Sequence, residues 1–374
     1  MQDHDATLVI DGRSIDFAPG ETVLEVASRS GIEIPALCHD PRLDPVGACR
    51  TCLVEVAGQR RLAPACMTRA TADMAVTTES ARVDRHRRSL LALYLTDHAV
   101  HPSGSREGAS NRPNELLELA ARYDAPTDWG HLESLRGSRA DDPSPYVHFD
   151  AERCILCARC TRYCDEVEAV SAITLSGRAA ETTISTTDGL PLLDTTCEFC
   201  GGCIDTCPTG AMSELQPRTR QAATKTLPAT APTLEVVRTT CNYCGVGCQL
   251  DLHVDRRAAD GRGEVVLITS PEPGTTTNDG NLCVKGRFAY EFIGHPERLS
   301  NPLVRGTDGE LHEASWDDAI RLASEGLAAV AQRHGADALG FVSSSRCTME
   351  ENYLVQKLAR AAYGTNNVHQ CAAT

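Results

Sequence analysis

The sequence predicts a multidomain protein of the α+β class, and three observations support this prediction. Its 374 residues, 41% of them apolar, are enough for two or three separately packed cores. Sixteen of its eighteen cysteines fall into four quartets spread along the chain. Strand-like and helix-like patterns alternate between these quartets, so each domain is expected to pack strands against helices.

The composition excludes several functions. A net charge of −15 argues against a nucleic-acid surface, because phosphate binding needs a concentrated basic patch. The one basic cluster, residues 85–88, is expected to be solvated at the start of a helix. No stretch approaches the roughly 20 apolar residues of a membrane span, and residues 1–5 are acidic and unlike a leader peptide. We therefore predict a soluble, cytoplasmic protein.

The cysteines are expected to bind metal, because a reducing cytosol keeps thiols free of disulfides. Each quartet has a spacing that suits an iron–sulfur cluster, so the chain is expected to conduct electrons. In chain order the quartets are Cys38, Cys49, Cys52, Cys66; Cys154, Cys157, Cys160, Cys164; Cys197, Cys200, Cys203, Cys207; and Cys241, Cys244, Cys248, Cys283. The two remaining cysteines, Cys347 and Cys371, are expected to be small buried hydrophobes.

Residues 1–80 are predicted to form the first domain. Apolar and polar residues alternate over residues 7–17, which predicts a β-hairpin, and Thr22 with Glu25 forms a capping box that opens a helix. A short strand is expected over residues 53–56. Together with the cysteine loop, these elements resemble the β-grasp fold of plant-type 2Fe-2S ferredoxins. The resemblance implies one 2Fe-2S cluster, and the wide first gap of the quartet keeps a zinc site as the alternative.

A helical spacer is predicted over residues 81–145. The spacing of apolar residues over 83–95 and 115–123 predicts two helices, and Gly, Ser and Pro are concentrated between them. The spacer is therefore expected to join two cysteine-rich domains.

Residues 146–215 contain one cysteine motif twice, C-x2-C-x2-C-x3-C. In bacterial two-cluster ferredoxins the fourth cysteine of each copy binds the other cluster, so the expected ligand sets are crossed. One 4Fe-4S set is Cys154, Cys157, Cys160 and Cys207, and its twin is Cys197, Cys200, Cys203 and Cys164. A pair of zinc ribbons is the alternative, although those use paired cysteine knuckles instead of repeated triplets.

The C-terminal part is predicted to follow a Pro-, Ala- and Thr-rich linker, residues 216–233. Residues 234–290 are expected to form a compact cluster-binding unit. Residues 291–374 are expected to begin an α/β domain, because helix and strand patterns alternate there.

Three elements are predicted in that last domain. Ser315 caps a helix that runs to about His334, with a glycine behind it. An apolar strand is expected over residues 338–342, and another helix follows to Tyr363.

The fourth quartet departs from the ferredoxin pattern, with 34 residues between Cys248 and Cys283. Cys283 lies in the run Leu-Cys-Val-Lys-Gly-Arg, and this quartet resembles that of the molybdopterin oxidoreductases. The resemblance implies a third 4Fe-4S cluster, next to the cofactor in the bis-pterin branch of that superfamily. It also implies that Lys285 relays electrons between cluster and pterin. A solvated surface lysine is the alternative.

The order of the domains resembles the alpha subunit of cytosolic NAD-dependent formate dehydrogenases over the whole chain, most closely in residues 345–353 and 364–373. The resemblance implies molybdenum or tungsten held by two molybdopterin guanine dinucleotides in the full-length protein. It implies oxidation of formate to carbon dioxide, with flavin- and NAD-binding iron–sulfur subunits as partners. In that family a selenocysteine or cysteine binds the metal at what would be position 375. We therefore expect no catalytic metal ligand within residues 1–374 and a selenocysteine codon after Thr374.

Two positions depart from that family. Its members often bind a further cluster through His-x3-Cys-x2-Cys-x5-Cys, but residues 97–104 keep His98 and His101 without any cysteine, so no cluster is expected there. His369 stands where formate dehydrogenases usually have aspartate. Two other functions stay open: the large iron–sulfur subunit of a NADH dehydrogenase-type complex, and a free-standing ferredoxin-like carrier.

Overall fold

A computed structural model describes residues 6–98, 114–130, 142–215, 234–257 and 263–371. The chain divides into two compact units, residues 1–227 and 228–374. The predicted linker, residues 216–233, lies outside the described residues. Within the described ranges, no helix has the length and apolar character needed to cross a bilayer.

A five-stranded mixed sheet organises the beginning of the first unit, in the strand order β2-β1-β5-β3-β4. Its strands are β1 Ala6–Ile10, β2 Arg13–Phe17, β3 Leu53–Val56, β4 Ala63–Pro64 and β5 Ala75–Thr77. β1 and β2 form the predicted antiparallel hairpin, while β1 and β5 run parallel. The turn uses positive φ at Asp11 and Gly12, residue types that tolerate the left-handed region. The hairpin and the strand at 53–56 are confirmed.

Helix α1, Val23–Arg29, packs on this sheet. It begins at the predicted capping box: the Thr22 hydroxyl accepts a hydrogen bond from the Glu25 amide, and the Glu25 carboxylate accepts one from the Thr22 amide. Such a cap contributes about 1 kcal/mol. One face of α1 is buried in a core with Leu8 and Ile10 of β1, and Cys52 and Cys66 belong to the same core.

Two helices follow, α2 Ala81–Leu95 and α3 Glu115–Arg122, which confirms the two helices predicted for the spacer. Both start at residues whose side chains cap the first turn, Ser80 and Asn114. They share a second buried core with the loop around Cys38 and with Ile155 of the next domain. The spacer therefore packs against the cysteine loops on both sides of it in the sequence.

The two copies of the cysteine motif begin with the same backbone geometry. In the first copy Leu156 and Ala158 have positive φ, and in the second Phe199 and Gly201 have positive φ at the equivalent positions. Each copy then enters a short helix, α4 Arg159–Arg162 or α5 Gly202–Asp205. The repeat seen in the sequence is therefore a repeat of conformation.

Short paired strands frame these copies. They are β6 Val147–Phe149 with β9 Met212–Glu214, and β7 Ile173–Ser176 with β8 Thr183–Thr186, both antiparallel. The remaining turns are 3-10 segments at Ala151–Arg153, Ala179–Glu181 and Leu192–Asp194, and a π-helical turn at Tyr163–Val167 that continues α4.

The second unit opens with a three-stranded antiparallel sheet, β10 Glu235–Thr240, β11 Gln249–Asp255 and β12 Glu264–Thr269. A small core of Leu250, Ile268, Leu282 and Tyr290 lies against it. Helix α6, Val284–Phe288, begins directly after Cys283, and a 3-10 turn follows at Glu291–Gly294. The sheet and α6 thus frame the fourth quartet.

The rest of the second unit alternates strands and helices. A hairpin pairs β13 Leu303–Arg305 with β14 Leu311–Glu313, and β15 Phe341–Ser344 runs parallel to β16 Val368–Cys371. The helices are α7 Trp316–His334 and α8 Met349–Lys357, the latter continued by a π-helical turn at Leu358–Ala362.

Most sequence predictions for this region agree with the structure. Ser315 caps α7, and Gly335 ends it with φ 85°. The strand predicted at 338–342 is wrong by about three residues, because Ala336–Ala338 form a 3-10 turn and the strand begins at Phe341.

Candidate functional site

The first quartet forms one buried group of thiols. Cys38, Cys49, Cys52 and Cys66 are each at most 2% exposed. The Cys52 and Cys66 sulfur atoms lie 3.4 Å apart, and the Cys49 amide donates a hydrogen bond to the Cys38 sulfur at 3.4 Å. The loop after α1, the loop entering β3 and the loop leaving β4 bring these residues together.

Hydrogen bonds between the thiols shift their acidity in opposite directions. The hydrogen bond from Cys49 lowers the pKa of the Cys38 thiol, so Cys38 loses its proton more readily. The same bond raises the pKa of Cys49. The pair formed by Cys52 and Cys66 behaves in the same way, with Cys66 the more acidic member. The thiolate is the form that binds metal, so a metal or cluster bound here would displace the remaining thiol protons.

Two further residues fix the loop that carries Cys49. The Thr51 hydroxyl lies 3.1 Å from the Cys49 sulfur and accepts a hydrogen bond from the Leu37 amide at 3.1 Å. The Tyr94 hydroxyl of α2 donates to the Cys49 carbonyl at 3.3 Å. Burial raises the pKa of Tyr94, so its proton stays available for this bond. Neither residue was predicted from the sequence, because the contacts of Thr51 with Leu37 and of Tyr94 with Cys49 join segments 14 and 45 positions apart.

A cavity in the ferredoxin-like region brings together the first three cysteines of one copy and the fourth of the other. Its lining includes Cys154, Cys157, Cys160 and Cys207 together with apolar side chains. Amides of Leu156 and Met212 donate to the sulfurs of Cys154 and Cys207 at 3.4 Å. Burial raises the pKa of Cys157 to about 12 and that of Cys160 further.

The remaining four cysteines of this region are half-buried, and amides also point at their sulfurs. The Ala172 amide donates to Cys164 at 3.2 Å, and the Phe199 amide donates to Cys197 at 3.4 Å. Burial raises the pKa of Cys197, and the thiol of Cys164 adds to that effect through its charge. These two residues come from different copies of the motif and belong to the second expected ligand set.

Gly202 allows the two copies to pack closely. A Cβ atom at this position would lie 1.8 Å from the Tyr163 ring, so no larger residue fits without moving that ring. Its amide also donates to the Cys200 sulfur at 3.4 Å. Gly202 therefore allows α5 to pack closely against the turn that contains Tyr163. Its amide also donates a hydrogen bond to a sulfur of the second expected ligand set.

The fourth quartet is shallower than the others. Cys241, Cys244 and Cys248 are half-buried, and Cys283 is exposed at the start of α6. The Cys241 amide donates to the Cys248 carbonyl at 2.8 Å, which closes the loop between β10 and β11. Burial raises the pKa of Cys248, and the three other thiols of the quartet raise it further. Lys285 lies two residues after Cys283 on α6 and is exposed.

A buried ionic network joins the first quartet's loop to the ferredoxin-like region. Arg42 pairs with Asp40 at 2.8 Å, with both side chains at most 8% exposed, and the Thr206 hydroxyl donates to Asp40 at 2.8 Å. Burial opposes ionisation of Asp40, but these partners hold its pKa at about 2. Arg159 and Arg162 donate to the carbonyls of Ala36 and Cys38. The sequence did not single out any of these residues.

One sequence expectation about charge is wrong. In the basic cluster at 85–88, Arg85 and Arg88 are exposed, but Arg87 is 1% exposed and points inward. His98 is buried at the N-cap of α3, with its Nε2 atom 3.0 Å from Asn114. His101 lies outside the described residues. Cys347 is half-buried.

The donor sets fit iron–sulfur clusters. They consist of cysteine sulfurs, and backbone amides donate to those of the ferredoxin-like region, as is usual around cluster sulfur. Within the described ranges, no group of three or more His, Cys, Asp and Glu side chains has the geometry of a single metal-ion site.

Comparison with protein families assigns each region. Residues 4–81 match the 2Fe-2S iron-sulfur cluster binding domain, and residues 144–213 match the ferredoxin-like domain of NADH-quinone oxidoreductase subunit 3. Residues 234–295 match the molybdopterin oxidoreductase Fe4S4 domain, and residues 298–374 match the molybdopterin oxidoreductase family itself. The C-terminal part of the chain is therefore similar to the molybdopterin oxidoreductases, and segments similar to 2Fe-2S and ferredoxin-like domains precede it.

Individual relatives share this arrangement. The alpha subunit of the NADPH-Fe(3+) oxidoreductase of Geobacter sulfurreducens is 36% identical over 365 residues, 97% of this chain and 40% of that protein. A Staphylococcus aureus protein named "putative formate dehydrogenase" is 29% identical over 406 aligned residues, 100% of this chain and 39% of that protein. The chain thus spans about 40% of the length of these relatives.

A solved structure is also similar. A chain of the NAD+-reducing [NiFe]-hydrogenase in its H2-reduced state is 30% identical, with a TM-score of 0.49. The match covers 60% of this chain and 90% of that chain.

Proposed function

We propose that this chain is the electron-conducting part of a formate dehydrogenase alpha subunit that passes electrons to an NAD-reducing partner. The observation that carries the conducting role is the cavity lined by Cys154, Cys157, Cys160 and Cys207, because it joins cysteines from two copies of the motif. This is the crossed ligand set of two-cluster ferredoxins.

The proposed cofactors are one 2Fe-2S cluster and three 4Fe-4S clusters. The first quartet, fully buried and flanked by a sheet and a helix, is assigned the 2Fe-2S cluster. The two crossed sets and the fourth quartet are each assigned a 4Fe-4S cluster. When bound, these clusters supply one-electron transfer; the chain's own residues hold the sulfurs, exclude water and donate hydrogen bonds to them.

Within the first unit, the buried network around Asp40 supports electron transfer between clusters. It fastens the loop of Cys38 and Asp40 to α4, through Arg162, and to the end of α5, through Thr206, so the two regions are held together. Electron transfer between clusters depends on fixed separations, and charged contacts that are buried in this way move little.

Lys285 is proposed to relay electrons between the fourth cluster and a molybdenum or tungsten bis(molybdopterin guanine dinucleotide). Its position two residues after Cys283 on α6 supports this role, since both then lie at one end of one short helix. The proposed substrate is formate, released as carbon dioxide. The proposed partners are flavin- and NAD-binding iron–sulfur subunits.

A second candidate is the transfer of electrons from NADPH to a metal acceptor. The Geobacter relative at 36% identity, named as an NADPH-Fe(3+) oxidoreductase alpha subunit, favours it. His369 on β16 favours it as well, because formate dehydrogenases usually have aspartate there.

Two experiments test these proposals. Protein purified without oxygen should contain about 14 iron and about 14 sulfide per chain, and dithionite should produce electron paramagnetic resonance signals of both cluster types. A colourless protein saturated with zinc would refute the cluster assignment. The complete enzyme, isolated with its partners, should reduce NAD with formate; reduction of ferric iron by NADPH without formate oxidation would support the second candidate instead.

A further inference from the structure

Arg87 and Arg287 are the largest fully buried side chains in the described part of the chain, each with 1% of its surface exposed. Arg87 lies in the middle of α2 and donates three hydrogen bonds, all to neutral groups. Nε donates to the Thr51 carbonyl at 3.2 Å, Nη2 to the Leu53 carbonyl at 3.3 Å and Nη1 to the Tyr123 hydroxyl at 2.9 Å. The Tyr123 ring lies 5.4 Å from the guanidinium carbon.

This guanidinium has no acidic partner among the described residues. Its neighbours on α2 differ in this respect: Arg82 pairs with Glu55, and Arg88 pairs with Asp124, both at the surface. A buried cation without a counter-charge is costly, even when neutral groups satisfy its hydrogen bonds. The side chains that the structure describes supply no negative charge to offset this cost.

The first quartet supplies that charge once it binds a cluster. Thr51 and Leu53 flank Cys52, so Arg87 holds the two carbonyls on either side of a proposed ligand. The Thr51 hydroxyl also lies 3.1 Å from the Cys49 sulfur. In a 2Fe-2S centre, four thiolates and two sulfides outweigh two ferric ions, so the whole is an anion, and one added electron makes it more negative.

We propose that Arg87 is the buried counter-charge of the 2Fe-2S cluster and that it raises the midpoint potential of that cluster. The inference rests on the proposed assignment of Cys38, Cys49, Cys52 and Cys66 as ligands. A positive charge that water does not screen stabilises the reduced, more negative state over the oxidised one. Arg87 is thus a positioning residue that acts on the cluster through its charge.

A purely structural role would have different consequences. The three hydrogen bonds fasten α2 and the end of α3 to β3, and this fastening depends on the planar fork of arginine. Lysine keeps the charge and loses the fork, while methionine keeps the apolar stem and loses both. A comparison of the midpoint potentials of the two variants therefore distinguishes the effect of the charge from the effect of the hydrogen bonds.

The test is a redox titration of the full chain, purified without oxygen, in which electron paramagnetic resonance follows the 2Fe-2S signal. In Arg87→Met, we expect the ratio of reduced to oxidised cluster at a fixed ambient potential to fall about tenfold, which is about 59 mV for a one-electron couple. Arg87→Lys should stay near the wild-type ratio. Arg85→Met, which removes an exposed charge two residues earlier on the same helix, should change nothing because water and salt screen it.

Several outcomes would overturn the inference. An unshifted midpoint in Arg87→Met would do so, as would an equal shift in Arg87→Lys. If Arg87→Met does not retain the cluster, retention by Arg87→Lys supports the need for charge, and loss in both variants assigns Arg87 a structural role only. A wild-type chain without any two-iron signal would refute the ligand assignment itself, a failure distinct from an Arg87 variant that leaves an existing signal unmoved.

Discussion

The first and fourth cysteine quartets differ sharply in how deeply the chain buries them. In the first, every cysteine is at most 2% exposed, and the cysteines share buried cores with the five-stranded sheet and with helices α1, α2 and α3. In the fourth, three cysteines are half-buried and Cys283 is exposed beside a helix of five residues. Burial raises the cost of charge and excludes water, so the two proposed cluster sites, each with four cysteines, have different surroundings.

The largest expected effect concerns cluster loss. Cys52→Ser should remove the 2Fe-2S signal and also lower the melting temperature of the first unit, because its sulfur sits at the centre of the core. Cys283→Ser should remove one 4Fe-4S signal and leave the melting of the first unit unchanged. Cluster content and calorimetry of both variants measure these effects. An equal fall in the melting temperature of the first unit in both variants would contradict the expected difference between the two sites.

A buried ion pair should give the next largest effect. In Asp40→Asn, Arg42 stays buried at 8% exposure without its partner, and we expect a loss of about 3 kcal/mol in the free energy of unfolding of the first unit. Denaturant titration measures it. A loss below about 1 kcal/mol would contradict the expectation that the buried Arg42 needs this partner.

Packing between the two ferredoxin copies should give a similar or smaller effect. Gly202→Ala places a Cβ 1.8 Å from the Tyr163 ring, and we expect a cost of about 2 kcal/mol. Gly326→Ala is the matched control, since that glycine lies within α7 with no atom within 4 Å of the added Cβ. The control should gain about 0.5 kcal/mol. Denaturant titration measures both effects, and an equal change in the free energy of unfolding of the two variants would contradict the steric argument.

An exposed ion pair in the second unit should give the smallest effect. Arg238 pairs with Asp251 across β10 and β11 at 2.8 Å, but half of the arginine side chain is in water. Because water and salt screen such pairs, Arg238→Gln should leave the melting temperature unchanged within error. A drop in melting temperature as large as that of Asp40→Asn would show that burial does not explain the difference between the two ion pairs.

Local features of the sequence predicted much of the fold. The capping boxes and N-caps fixed the starts of α1 and α7, and alternation fixed the hairpin of β1 and β2, because these signals depend on residues a few positions apart. The strand expected at 338–342 was displaced because the three residues Ala336–Ala338 close a 3-10 turn first. That competition depends on packing with β16, which local patterns do not encode.

The charged surroundings of the cysteines could not be predicted in the same way. Asp40 accepts from Thr206, 166 positions later, and Arg159 donates to Ala36, 123 positions earlier. A run of basic residues at 85–88 is usually solvated, and nothing in the run itself distinguishes Arg87 from its neighbours. Arg87 lies four residues after Val83 and four before Leu91, so it shares the face of α2 that the tertiary structure buries.

The sequence by itself determined which cysteines could share a site, because ligand spacing and the repeat of a motif are properties of the chain. The tertiary structure decided how deeply each set is buried and which charges face it. Burial and charge depend on contacts between segments far apart in sequence. They are formed when the core closes, and they distinguish the first quartet from the fourth.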